Sequence, residues 1–387
     1  MKLRKLSLIM CLVLLMSLFT ACSGNEETQQ PLQWVSHTAT GFKVYKEGVF
    51  FVDKNGILQY FDAASKKTVV LCDKKDCQHS GKSCHGYIGS AYSYNVSGGK
   101  IYTLNDEDSL YTLIESDIDF TNHKETVTLG KELSEEGFYI DPMRPLVSGD
   151  YIYYVTEVSN FNTGESYYGI YGANLKTGKE ATIIDHMEQG TLDIVSVCDS
   201  EIIYFTSYLD KELSNEIYGS IPNELDFEEY SKKFKEYEEQ RTYRTYKYNI
   251  ETGETKVLYE NKAAALPVFA DENYLYAYTY TVYEATQSFV PDRYFTVDLK
   301  TQEEKTIGKD EFEKKQRGFS ESEADAITGG SDDLNIYFLT DSGYIGTRTD
   351  KKVPTGENSY TITGQSYVLI DKNNPQSEPF AFYSWED

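Results

Sequence analysis

The sequence predicts an all-β protein, a six-bladed β-propeller of four-stranded antiparallel blades with one helical insertion in blade 4, and three observations predict it. First, a phrase recurs, clearest at Ser148-Gly149-Asp150-Tyr151-Ile152-Tyr153-Tyr154-Val155, where a polar turn runs into alternating β-branched and aromatic residues. Second, its beats fall at Val49, Ile101, Ile152, Ile203, Leu275 and Ile336, in steps of 52, 51, 51, 72 and 61 residues, and 51 residues follow the last. A strand-filled period near fifty means stacked blades. Third, 34 Tyr and 19 Phe in alternating patterns favour strands, and one segment reads as a helix. A pair of β-sandwich domains is the other architecture that these strands allow.

Residues 1–21 read as a lipoprotein signal peptide and stand outside the fold argument. Lys2, Arg4 and Lys5 are a basic start, residues 6–19 an apolar run short for a membrane span, and Thr20-Ala21-Cys22 a close. This resembles the lipobox of bacterial lipoproteins, although Phe19 stands where Leu is usual. The resemblance implies a lipid on Cys22 and an address on the extracytoplasmic side of the cell membrane. An ordinary secretory signal is the alternative, and Cys11 is discarded with the segment in either case. Residues 22–33, polar and rich in Gln, make a tether, and residues 34–387 make a single propeller domain. Removing the three positive charges of the signal moves the formal charge from −25 to −28, which repels nucleic acid and anionic head groups. Abundant Lys beside few Arg suits a Gram-positive surface.

The first unit sets the strand plan at 42–45, 49–53, 57–61 and 68–72, and the second repeats it at 93–97, 101–104, 110–114 and 125–129. A second phrase lies between the third and fourth strands of later units: Asn174-Leu175-Lys176-Thr177-Gly178-Lys179, Asn249 to Glu254, and Asp298 to Glu303. Glycine there supplies a positive φ. In a propeller the loops after the second and fourth strands share one face, and the insertions at 72–87, 157–168, 209–244, 283–293, 309–323 and 342–365 would collect there. The insertion at about 222–241 carries the helix, with Pro222 upstream and Asp226 and Glu229 as its capping pair. Phe227, Tyr230, Phe234 and Tyr237 share one helical face, which either packs on the rim or serves as a lid or a partner surface.

The sharpest local feature is Cys72-Asp73-Lys74-Lys75-Asp76-Cys77-Gln78-His79, followed by Cys84-His85. Here the chain resembles a group of Firmicutes lipoproteins that carry a Cys-x4-Cys-x-His-x4-Cys segment after the first strands of a propeller. The resemblance implies a family and no particular reaction. Cys72, Cys77, Cys84 and either His79 or His85 complete a tetrahedral set for structural zinc; a disulfide among Cys72, Cys77 and Cys84 is the other reading, favoured by the oxidising compartment. Cys198, in an apolar inner-strand pattern, reads as a small buried side chain.

No nucleotide loop, hydrolase elbow or metalloprotease helix occurs, so no nucleotide or organic cofactor is expected. His37, His123 and His186 read as ordinary surface or turn histidines, and Asn105-Asp106-Glu107-Asp108 as a solvated turn without the glycine of a calcium loop. The expected activity is binding of a glycan, peptide or protein on the long-loop face, with Tyr167, Tyr168, Tyr283, Tyr344 and Tyr360 as candidate contacts. A propeller glycoside hydrolase or lyase using pore carboxylates, or a structural envelope component, is the alternative.

Overall fold

The computed structural model describes residues 34–36, 41–90, 93–107, 110–187, 190–208, 212, 215, 227–261, 264–284, 286–356 and 359–386. Cys22, the signal and tether segments, His37, Pro222 and Asp226 lie outside them, as does the His186 side chain. Trp34–Asp387 is one unit, a β-propeller of six antiparallel four-stranded sheets. Each blade uses four consecutive strands, and among the described residues no strand is exchanged between the chain ends. The first strands are Lys43–Tyr45, Tyr94–Ser97, Tyr139–Ser148, Thr191–Cys198, Ala265–Ala270 and Leu334–Leu339. In blades 1 to 5 these neighbour one another in succession, so they form the inner wall. The second strands are Gly48–Val52, Lys100–Glu107, Tyr151–Asn160, Glu201–Tyr208, Tyr274–Tyr283 and Gly343–Gly356.

The core lies between blades rather than within them, because each sheet must bury both faces against its neighbours. Val49, Ile101, Ile152, Ile203 and Leu275 all sit on second strands with no exposed surface. Ile336 breaks the series, since it lies on the first strand of blade 6. The true counterpart is Ile345, also wholly buried, after the turn Asp341-Ser342-Gly343. Gly343 is needed there, for a Cβ would stand 2.2 Å from the Ile370 carbonyl oxygen.

The seam between blades 6 and 1 closes the ring with packed aromatic side chains and a few hydrogen bonds between side chains and backbone. Phe61 stacks on Phe382 with ring centroids 4.0 Å apart and planes 6° apart, and Phe42 meets Tyr367 edge-on at 4.8 Å. Thr68 donates to the Phe382 carbonyl and Lys54 Nζ to that of Glu386. The seam between blades 5 and 6 is filled differently, by two helices, Lys309–Arg317 and Glu321–Thr328, absent from the sequence-based expectation. Phe312 of the first packs on blade 5, and Phe319 between them packs on blade 6. A shorter helix, Lys131–Glu135, enters blade 3.

The expected long loops divide into two kinds. Residues 157–168, 283–293 and 342–365 are hairpin extensions, the last formed by the two longest strands, Gly343–Gly356 and Ser359–Asp371. Asn105 to Glu107 likewise belong to a paired strand, Asn105 facing Thr112, and not to a turn. The segment Trp34 to Ser36 pairs with the inner strand of blade 4: Val35 and Val197 exchange two backbone hydrogen bonds of 2.8 Å. Among the described residues no helix is long and apolar enough to cross a membrane.

Candidate functional site

The cysteine-bearing loop leaves blade 1 and returns to the same spot. Leu71 N–H donates to the Leu58 carbonyl, and Leu58 N–H to that of Gly86, so both loop ends are pinned to the start of the third strand. Gly86 passes so close that a Cβ would meet the Leu71 carbonyl oxygen at 2.2 Å. Between the pins, Asp76 and His79 take left-handed φ values of 59° and 50°, folding the segment into a tight knuckle.

That knuckle gathers one donor atom each from Cys72, Cys77, His79 and Cys84 within 4.8 Å of one another. All three thiols are free, and His79 rather than His85 is the imidazole of the set. Cys84 Sγ lies 3.7 Å from His79 Nδ1. A tetrahedral zinc with ordinary bond lengths holds such a pair about 3.6 Å apart, so the donor set fits. His79 N–H donates to Cys77 Sγ at 3.4 Å. Burial opposes ionisation of Cys72, but the Lys74 N–H and hydrogen bonds with Cys84 and Cys77 outweigh it and bring the thiol down to about 6; burial pushes Cys84 up to about 12. Four protein donors leave no position for water, which suits a structural metal. Native mass spectrometry of the full chain should show at least one zinc, with every thiol alkylatable after denaturation and chelation. A metal-free mass two protons low would instead make the knuckle a disulfide.

A second feature lies where the insertion helix, Phe227–Glu238, meets the blade 5 hairpin. A groove of about 730 Å³ runs between them, lined by Phe227, Ser231, Val282, Tyr283 and Val290. The aromatic stripe of the helix is graded: Tyr237 is buried, Tyr230 and Phe234 are half-buried, and Phe227 is 62 % exposed. The helix therefore packs on the rim at its C-terminal end and opens onto the groove at its start. A buried pair anchors the packed end, with Arg241 donating to Glu238 Oε2 at 2.9 Å and Oε1 at 2.5 Å.

No family model and no curated protein sequence matches the chain. Solved structures do resemble it. One is an oligogalacturonate lyase from Vibrio parahaemolyticus, 12 % identical over 90 % of this chain and 73 % of that one, with a TM-score of 0.36. Others are a prolyl endopeptidase (12 %, 92 % and 50 %, TM-score 0.43) and the β-propeller domain of the Trilobed protease from Pyrococcus furiosus (7 %, 91 % and 96 %, TM-score 0.37).

The five tyrosines singled out from sequence do not converge. Tyr167 is 6 % exposed and belongs to the core between blades 2 and 3, because its place in the extended hairpin points it inward. Tyr344 begins the second strand of blade 6 and packs edge-on against Phe319, at the end of the blade opposite the hairpin tip. Tyr168, Tyr283 and Tyr360 are exposed, on blades 3, 5 and 6, and Tyr283 alone of the five lines the groove. On the inner wall, desolvation lowers Lys43 to about 8, while burial raises Asp193 despite the Ile194 N–H and the nearby Arg144. Cys198 closes the inner strand of blade 4, half-buried, and burial raises its thiol.

Sequence reasoning missed His123. Its Nε2 lies 3.4 Å from Asp73 Oδ2, fifty residues away in the chain, so no local spacing announces the pairing.

Proposed function

We propose that this propeller is a binding module, held on the extracytoplasmic side of a membrane through lipid on Cys22, that takes a polypeptide segment into the groove between the insertion helix and the blade 5 hairpin. The observation that carries the reading is the concentration of uncovered apolar side chains there. Phe227, Tyr283 and Val290 are 62 %, 59 % and 47 % exposed and line a concave site. Among the described residues the remaining exposed tyrosines stand on separate blades, which argues against a single stacking platform for a glycan.

Charge favours one kind of occupant. Glu228 and Glu284 line the groove, and Lys235, the one cation among the described lining residues, pairs with Glu284 at 3.2 Å. The chain around them carries a net charge of −25. An aromatic or branched aliphatic side chain flanked by Lys or Arg fits both the apolar floor and the acidic edge. The Cys/His knuckle, in this reading, holds zinc as a structural clip remote from the groove.

Selection from a displayed random-peptide library on the purified full chain tests the proposal. The enriched peptides should share an apolar residue beside basic ones. Tyr283→Ala should weaken them by about 10-fold to 30-fold, the range of a hot-spot contact. Enrichment indifferent to Tyr283→Ala and Phe227→Ala overturns the reading, as does concentration-dependent self-association that those substitutions abolish.

A further inference from the structure

We infer that Asp73, His85 and His123 form a second metal site, open to solvent, that binds a divalent first-row cation back to back with the Cys/His knuckle. Ligand atoms from the three residues lie within 4.8 Å of one another. His85 Nδ1 is 2.7 Å from Asp73 Oδ1, and His123 Nε2 is 3.4 Å from Asp73 Oδ2. Donors at right angles around a metal, with ordinary bonds to nitrogen and oxygen, stand about 3.0 Å apart, and the two observed separations bracket that value. Two imidazoles and one carboxylate on one side of a cation are the donor set that leaves other positions free.

The site is built rather than accidental. His123 is held on two sides: Ser116 Oγ, with no exposed surface, lies 2.7 Å from its Nδ1, and Phe120 meets its ring edge-on at 4.8 Å. With Nδ1 engaged by the serine, Nε2 is left to face Asp73, the arrangement by which outer partners orient metal-binding histidines. Asp73 and His85 are placed by the knuckle itself, because each directly follows one of its cysteines, Cys72 and Cys84. Successive side chains on extended backbone point to opposite sides, and Cys84 has φ −80° and ψ 133°. The sulfurs therefore turn into the knuckle while the next residues turn out toward blade 2.

The two sites differ in chemistry. The knuckle offers three soft sulfurs, with Cys84 buried; the second site offers nitrogen and oxygen, with side-chain exposures of 31 %, 53 % and 29 % for Asp73, His85 and His123. Water, or a small carboxylate or phosphate ligand, can complete the coordination of a cation held there. Soft ligands and hard ones sort metals accordingly, so Mn²⁺ reports on the second site and largely ignores the first.

The test is Mn²⁺ titration of the full chain, read from the electron paramagnetic resonance of the free ion, in an excess of Mg²⁺ that occupies the acidic surface. One saturable Mn²⁺ per chain is expected. His85→Gln and His123→Gln should each weaken it at least tenfold, and Ser116→Ala, which keeps every ligand, should weaken it by a smaller factor. His85 is exposed, so its substitution leaves the fold intact and keeps the test decisive even if His123→Gln unfolds the seam. Absence of saturable binding, displacement by Mg²⁺, or equal affinity in the wild type and His85→Gln overturns the inference. Because the readout involves neither the groove nor a peptide, its outcome is independent of the proposed function.

Discussion

Arg241→Ala will lower the stability of the chain by about 3–5 kcal/mol, the cost of leaving a buried charge without its partner. Glu238 and Arg241 have side-chain exposures of 4 % and 10 % and share a two-pronged hydrogen bond. Burial disfavours the charged guanidinium, but the Glu238 carboxylate more than compensates and raises its pKa further. The remaining Arg241 nitrogen donates to Ser207 Oγ at 3.0 Å and Thr191 Oγ1 at 3.2 Å, both on blade 4. Tyr280 of blade 5 donates to Glu238 Oε2 at 3.3 Å. One pair thus ties the end of the insertion helix to two blades. Removing Arg241 alone strands Glu238 in that pocket, whereas Arg241→Met with Glu238→Leu should recover most of the loss. Urea unfolding of the three chains checks both numbers, and a loss below about 1 kcal/mol for the single substitution would mean the pocket is wetter than its burial indicates. Hydrogen exchange should also show the helix loosening first, and the groove with it.

The second large effect is expected from Phe61→Ala, at about 3–5 kcal/mol. Phe61 is wholly buried, stacks on Phe382 and lies near Phe380. Among the described residues the ring's ends share no strand, so this seam rests on such contacts, with Thr68 and Lys54 adding hydrogen bonds to blade 6. The loss should therefore be localised. Native-state hydrogen exchange ought to rise in blades 1 and 6 before blades 3 and 4, and a uniform rise would show that the ring yields as a whole.

The propeller was legible because its evidence is local. Alternation of apolar and polar residues along each second strand follows from the period of a strand, and five of six beats fell on wholly buried residues. The sixth slipped because Asp332-Asp333-Leu334-Asn335-Ile336 imitates a polar turn entering a strand nine residues before Ile345. The turn phrase was found for an incomplete reason. Glycine takes the left-handed position in two cases, Gly178 and Gly253, but Gln302 occupies it in blade 5 and Lys66 in blade 1. The constant element is the Asn or Asp side chain: Asn174, Asn249, Asp298 and Asp62 each accept backbone N–H groups two and three residues on. The helices at Lys309–Arg317 and Glu321–Thr328 escaped notice because Phe312 is their single buried apolar residue, although Ser320 and Glu323 form a complete capping box. Of the site, the knuckle was readable from spacing along one loop. The groove and the His123 pairing were not, since both join segments that meet only when two blades pack.

The pairing of Val35 with Val197 sets how the ring would bear a mechanical load. Tension applied N-terminal to Trp34 reaches the inner wall of blade 4 first, through two backbone hydrogen bonds, the 2.5 Å contact of Ser36 Oγ with Ser196 Oγ, and Trp34 lying under Lys247. Ser196 in turn exchanges hydrogen bonds with the backbone of Ala270 in blade 5, so the pull spreads across blades 4 and 5, neither of which forms the seam between blades 6 and 1. Tension at the C-terminus meets the outermost strand of blade 6, Phe380–Glu386, which can peel one bond at a time. The ring is thus guyed at one end and zippered at the other, and stress entering by the N-terminus bypasses the seam where blade 6 meets blade 1.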